Sequence, residues 1–245
     1  MGSVAKVRQS DDGALLTFFR AIAAGDFERV ARMLDSSPTI ARDPIRVAAS
    51  RADAPNYFLE DICHYVYGGD TGLHLAAAAH QRATAEKLCA LGADARARNR
   101  RGAEPLHYAA DGGPTSPSWN PAGQYEVIEY LISIGADPNA LDKSGVAPLH
   151  RAVRGRCTAA VRALLDHGAD ALLKNKRGST PLHLAVQNTG ASASGADEAK
   201  EQQGHIILLL RQHGAGPADT DAKGKTVESA ATSEWIRGLL TGASS

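Results

Sequence analysis

Four short segments recur in register along this chain: "DTGLHLAAA" (70–78), "AEPLHYAAD" (103–111), "VAPLHRAVR" (146–154) and "STPLHLAVQ" (179–187). Their histidines, His74, His107, His150 and His183, stand 33, 43 and 33 residues apart. A second marker follows each one: "LGAD" (91–94), "IGAD" (134–137), "HGAD" (167–170) and "HGAG" (213–216). From histidine to the first glycine of the marker is 18 residues in units one and three, 28 in unit two and 31 in unit four. The base period is therefore 33, with ten residues added to unit two and thirteen to unit four. A fixed period in this range marks a chain built from stacked, locally folded units rather than around one globular core.

Each unit reads as two helices and a turn. Proline at the first helical turn needs no N–H there and pre-sets φ. A threonine before it, as at Thr180, can cap the helix N-terminus. Val161, Leu164 and Leu165 fall at i, i+3 and i+4, one face of a second helix. The glycine of each G-A-D marker sits where a left-handed residue ends that helix, and "NKRG" (175–178) reads as a β-turn. Only 5% of residues are aromatic and alanine is abundant, which suits closely packed helices.

The T-P-L-H-x-A pattern, the later L-L-x-x-G-A-D and the 33-residue period together resemble the ankyrin repeat. Units three and four carry the pattern best, as "APLHRAV…VRALLDHGAD" and "TPLHLAV…IILLLRQHGAG". Gly72 stands where the family has proline, and Glu104 where it has threonine. "AIAAGDFERVARMLD" (21–35) resembles a repeat core without its T-P-L-H start, and "DAKGKTVESAATSEWIRGLL" (221–240) resembles a closing unit. The resemblance implies an all-α solenoid of helix–turn–helix repeats with β-turn fingers. It divides the chain into a flexible N-terminus (1–13), an N-cap (14–42), an inserted finger (43–68), repeats at 69–98, 99–141, 142–174 and 175–220, a C-cap (221–240) and a tail (241–245). It also implies that the four motif histidines are structural, hydrogen bonding to the backbone of neighbouring units.

Three insertions interrupt the pattern. "DGGPTSPSWNPAG" (111–123) and "NTGASASGADEAKEQQG" (188–204) lie between the two helices of units two and four and are expected on one edge of the solenoid. The third, residues 43–67, falls in the first finger. There Phe58, Leu59, Ile62 and Val66 are spaced like one helical face, so an added helix is expected over 56–67, with Asn56 as its N-cap. On that helix Glu60 and Asp61 would reach His64, beside Cys63. Two neighbouring ligands without a second motif make a poor metal site, so a metal or enzymatic role here is the least favoured alternative. No phosphate loop, nucleophile elbow or dinucleotide fingerprint occurs. No cofactor is implied, and a non-enzymatic protein is expected.

The three cysteines are far apart and unpaired in sequence, no apolar run approaches a membrane span and no secretory leader is evident, so a cytoplasmic monomer is expected. The alanine- and arginine-rich composition is of the kind found in GC-rich bacterial genomes. Charge gives a further signal. The chain has 27 basic and 27 acidic side chains, yet the fingers and first-helix edges, where ankyrin partners usually dock, are mainly basic: Arg98, Arg100, Arg101, Lys143, Arg151, Arg154, Lys176 and Arg177. Tyr57, Tyr65 and Tyr67 of the inserted finger and Trp119 of the second insertion are candidate anchors beside them, whereas Trp235 is expected to pack in the C-cap. The reading is a scaffold or adaptor whose fingers and concave face bind an acidic protein surface. Nucleic acid or another polyanion bound through the same basic stripe is the alternative, with nucleic acid disfavoured because aromatic side chains do not interleave with the basic ones in the repeat fingers.

Overall fold

The structure, a computed structural model, describes residues 11–49, 54–113, 119–187 and 197–242. Its helices form two stacked layers. The first holds α1 (Asp12–Ala23), α3 (Gly72–Ala78), α5 (Pro105–Ala109), α7 (Pro148–Arg154), α9 (Pro181–Ala185) and α11 (Val227–Ala230), each touching the next. The second holds α2 (Phe27–Ser36), α4 (Arg82–Ala90), α6 (Pro121–Ser133), α8 (Thr158–Asp166), α10 (Asp197–Gln212) and α12 (Glu234–Thr241). The core runs continuously between the layers as leucine, isoleucine, valine and alanine. In α8, Val161, Leu164 and Leu165 are buried against α7 as their spacing requires. Each such side chain contributes roughly 1.5–3 kcal/mol on burial. Gly92, Gly135, Gly168 and Gly214 all hold positive φ, between 89° and 102°, and end the second helices of their units.

Two recurrent sets of hydrogen bonds hold the stack, one between units and one within each finger. The motif histidine accepts from the backbone N–H three residues upstream through Nδ1, at 3.1–3.3 Å. That leaves the proton on Nε2, which donates to the next unit: His74 to Ala103 O, His107 to Val146 O, His150 to Ser179 O and His183 to Lys225 O, at 3.0–3.3 Å. Eight residues before the histidine, or at its equivalent in the C-cap, stand Asn99, Asp142, Asn175 and Asp221. Each Oδ1 accepts the N–H groups two and four residues on, which locks the finger turn.

Unit one has Val66 at that position, so its finger cannot close in the same way. The expected helix over 56–67 is not formed. A 3₁₀ turn (Ala54–Tyr57) leads into an antiparallel pair, β1 (Phe58–Leu59) with β2 (His64–Tyr65), and a second 3₁₀ turn (Glu60–Ile62) connects the two strands. Cys63 turns the chain at φ 50°. Phe58 and Tyr65 meet across the pair with ring centroids 4.7 Å apart, a cross-strand contact that aromatic side chains favour. The apolar positions suit a helix and a hairpin almost equally: Leu59 and Val66 are buried in either, and Ile62 packs on the core from the turn. The register Leu59↔His64 replaces the expected pairing of His64 with Glu60 or Asp61. Upstream, the insertion is tied to α1 at Arg46 and Val47, whose N–H groups donate to the Asp12 carboxylate.

Helix α1 begins at Asp12, capped by Asp11, two residues before the expected boundary. Helix α10 begins at Asp197, so "DEAKEQQ" is helical. The apexes of the second and fourth insertions, residues 114–118 and 188–196, lie outside the described residues, as do the N-terminal segment 1–10 and tail residues 243–245. In each of those two units a buried glutamine closes the flank of the insertion. Gln124 of α6 donates to Ala109 O and Asp111 O, and Gln203 of α10 donates to Ala185 O and Gln187 O.

Candidate functional site: a basic groove along the fingers

The inner face of units two to four forms a groove of about 770 Å³. Its charged lining is Arg101, Arg151, Arg154 and Arg177 against Asp111 and Asp142. The position after the motif histidine decides much of its chemistry. It is Leu75 in unit one and Leu184 in unit four, but Tyr108 in unit two and Arg151 in unit three. Both polar side chains are consumed inside the fold. Arg151 bridges Asp111 (2.8 Å) and Asp142 (3.1 Å), with only 15% of its side chain exposed. Burial opposes its charge, but the two carboxylates outweigh that and raise its pKa. Arg151 was expected to face a partner; here it fixes the second insertion, through Asp111, to the third finger.

Tyr108 belongs to a second buried cluster that the sequence reading missed. Its hydroxyl donates to Asp70 at 2.8 Å, and Asn99 Nδ2 reaches the same carboxylate at 2.9 Å. The N–H of Tyr67 donates to the other oxygen at 2.7 Å. Burial, followed by the nearby Asp70 charge, pushes the Tyr108 phenol well above its ordinary range. The available signal was the tyrosine itself, a polar ring at a position where two sister units carry leucine.

The remaining candidates divide by what they already hold. Arg98 is bound to the carboxylate of Glu104 at 2.8 Å. Glu104 is buried at the start of α5, where burial raises its pKa against the opposing pull of Arg98. Arg100 reaches back to Ala49 O, and the guanidinium groups of Arg100 and Arg101 lie over the Tyr67 ring at 5.4 and 4.8 Å. Lys176 donates to the carbonyl of Lys143, joining two finger tips. Arg101, Arg154 and Arg177 are exposed and make no ion pair among the described residues, so they carry the groove's free positive charge.

Of the tyrosines, Tyr57 is half-buried against the core, Tyr65 stacks on Phe58 and is 40% exposed, and Tyr67 lies under the two arginines. Trp119 tucks back onto unit three, its indole N–H reaching Cys157 Sγ at 3.3 Å and Gln124 Oε1 at 3.4 Å. Trp235, expected to pack, lies against α10 at Gly204 and is 40% exposed beside Leu208. Among the described residues no group of three or more histidine, cysteine or acidic side chains could hold a metal ion, and the three cysteines are free.

Residues 119–221 match the family model for ankyrin repeats, in three copies. The chain carries ankyrin repeats. The matched segment begins at Trp119, and the histidine bridges and the left-handed glycines of unit one carry the same architecture upstream of it. No curated protein matches the chain. Ankyrin repeats are generally protein–protein interaction modules, which supports a binding scaffold. No described helix is long and apolar enough to cross a membrane.

Proposed function

We propose that this ankyrin repeat protein is a non-enzymatic adaptor, a cytoplasmic monomer whose finger groove binds an acidic segment of another protein. The observation that carries this reading is the groove's charge. Its two aspartates are both engaged by Arg151, while Arg101, Arg154 and Arg177 project from successive fingers and first helices with no acidic partner. On a chain with net charge zero, that concentration of free guanidinium groups favours a carboxylate-bearing ligand, because arginine binds carboxylates bidentately. Nucleic acid is disfavoured as the partner. Tyr67, beside the groove residue Arg101, has its ring under the guanidinium groups of Arg100 and Arg101, which compete with a base for it.

The test is affinity capture from the native cell with wild type and with the triple variant R101E/R154E/R177E. The captured partner should be lost with the triple variant. A partner retained equally by both would sink the groove assignment.

A further inference from the structure

Two of the insertions meet at a place that the groove reading does not use. The turn of the inserted hairpin brings Ile62, Cys63 and His64 against Asp111, Gly112 and Trp119 of the second insertion. Ala78 and His80, from the end of the first helix of unit one, complete the described lining of a cavity of about 240 Å³. The second insertion is held there by close backbone packing. A Cβ on Gly113 would stand 1.9 Å from Gly155 O, so only glycine permits the approach. His80 and Gln124 both bind the Asp111 carbonyl.

Three features of the lining specify a ligand. First, His64 Nε2 is buried and has no hydrogen-bond partner among the described residues. Native proteins rarely leave such an atom unsatisfied, and it marks the place for one polar group of a bound molecule. A hydroxyl suits it in either tautomer, since a hydroxyl both donates and accepts. Second, the described lining holds no charged side chain outside an ion pair. Asp111 is held by Arg151, burial lowers the pKa of His64 and of His80, and Cys63 Sγ lies 3.5 Å from Glu60 O. An ion would be buried without a counter-charge, so the ligand is neutral. Third, the remaining lining is apolar or aromatic: Ile62, Ala78 and the Trp119 ring. A cavity of about 150 Å³ already accommodates benzene, so this one has room for a ring with one or two substituents.

We propose that the cavity between the inserted hairpin and the second insertion is a binding site for a small neutral phenol-class molecule, its ring beside Trp119 and its hydroxyl on His64 Nε2. Among the described residues the site shares Asp111 with the lining of the groove, and it does not depend on the protein-partner assignment. The competing occupant is ordered water alone, which would satisfy His64 without any selectivity for a ring.

The experiment is a titration of nitrogen-15-labelled full-length protein with p-cresol and, separately, with toluene, following the indole N–H signals. The W119F variant assigns the Trp119 signal, and Trp235 serves as the internal reference. The expected result is a saturable shift of the Trp119 signal below ~1 mM p-cresol, an unmoved Trp235 signal, and toluene binding weaker by about tenfold or more. In His64→Phe the p-cresol advantage over toluene should vanish. The proposal is overturned if wild type shows no saturable shift by ~5 mM p-cresol, or if p-cresol and toluene bind with equal affinity. Both tests use wild-type protein, so they stand even if the His64 variant fails to fold.

Discussion

His107 offers a quantitative test of the histidine bridges between units. Its ring is buried, with Nδ1 accepting from Glu104 N and Nε2 donating to Val146 O. Burial, and secondarily the charge of Arg151, lowers its pKa from 6.5 to about 4. Protonation would place a second N–H where the first contact needs an acceptor. In the unfolded chain the imidazole regains its ordinary pKa. The unfolded state therefore binds more protons between the two values, and stability falls as pH drops below 6.5 toward about 4. Each pH unit inside that window costs about 1.4 kcal/mol, so His107 alone removes about 2 kcal/mol by pH 5. His64, His74, His80 and His150 are shifted in the same direction by burial and add to the loss in wild type. The substitution His107→Gln isolates one bridge, because it retains an N–H donor for Val146 O but does not titrate. Urea unfolding followed by circular dichroism, at about pH 7 and about pH 5, should show the variant losing about 2 kcal/mol less than wild type between the two conditions. Equal losses in the two proteins would refute the neutral-bridge assignment, whatever the variant's stability at neutral pH.

Three further substitutions probe the features that join the insertions to the stack. Gly113→Ala places a Cβ against the carbonyl of Gly155 and should cost about 1–3 kcal/mol, read as a lower urea midpoint. Tyr108→Phe removes the hydroxyl from the buried Asp70 carboxylate and should cost about 1–3 kcal/mol in the same assay, since Asn99 and the Tyr67 N–H still hold the aspartate. Arg151→Met strands Asp111 and Asp142 together and should cost about 3–5 kcal/mol at neutral pH. Acidification should recover part of the Arg151 loss as the carboxylates protonate, and its persistence unchanged at low pH would contradict the ion-pair account.

The repeats were legible because their determinants are local and periodic. The histidine, the helix-ending glycine and the first-turn proline each act within a few residues, and they recur where the fold needs them. The inserted hairpin was not, because Phe58, Leu59, Ile62 and Val66 satisfy a helical spacing while burial by the neighbouring units selects the paired form. The polar clusters were hidden for a related reason. Tyr108 meets Asp70 across 38 residues, and Arg151 meets Asp111 across 40, so neither pairing leaves a mark in a short window. Comparison between sister units was the one route to them, since the residue after the motif histidine changes from leucine to tyrosine and arginine. The same limit applied to the basic stripe. The sequence could count its cations, but only the packing separates Arg98 and Arg151, which serve the fold, from Arg101, Arg154 and Arg177, which remain free.

The most direct measurement of groove function is the salt-dependent binding of a fluorescently labelled Asp/Glu-rich peptide, read by anisotropy. Wild type should bind it with an affinity that falls as salt rises, and R101E/R154E/R177E should weaken binding by about tenfold or more, equivalent to at least ~1.4 kcal/mol. Arg162→Glu, an exposed change on the outer helix α8, should leave the affinity unchanged. Wild-type affinity in the triple variant, or an equal loss from Arg162→Glu, would contradict the assignment of the finger groove as the binding surface.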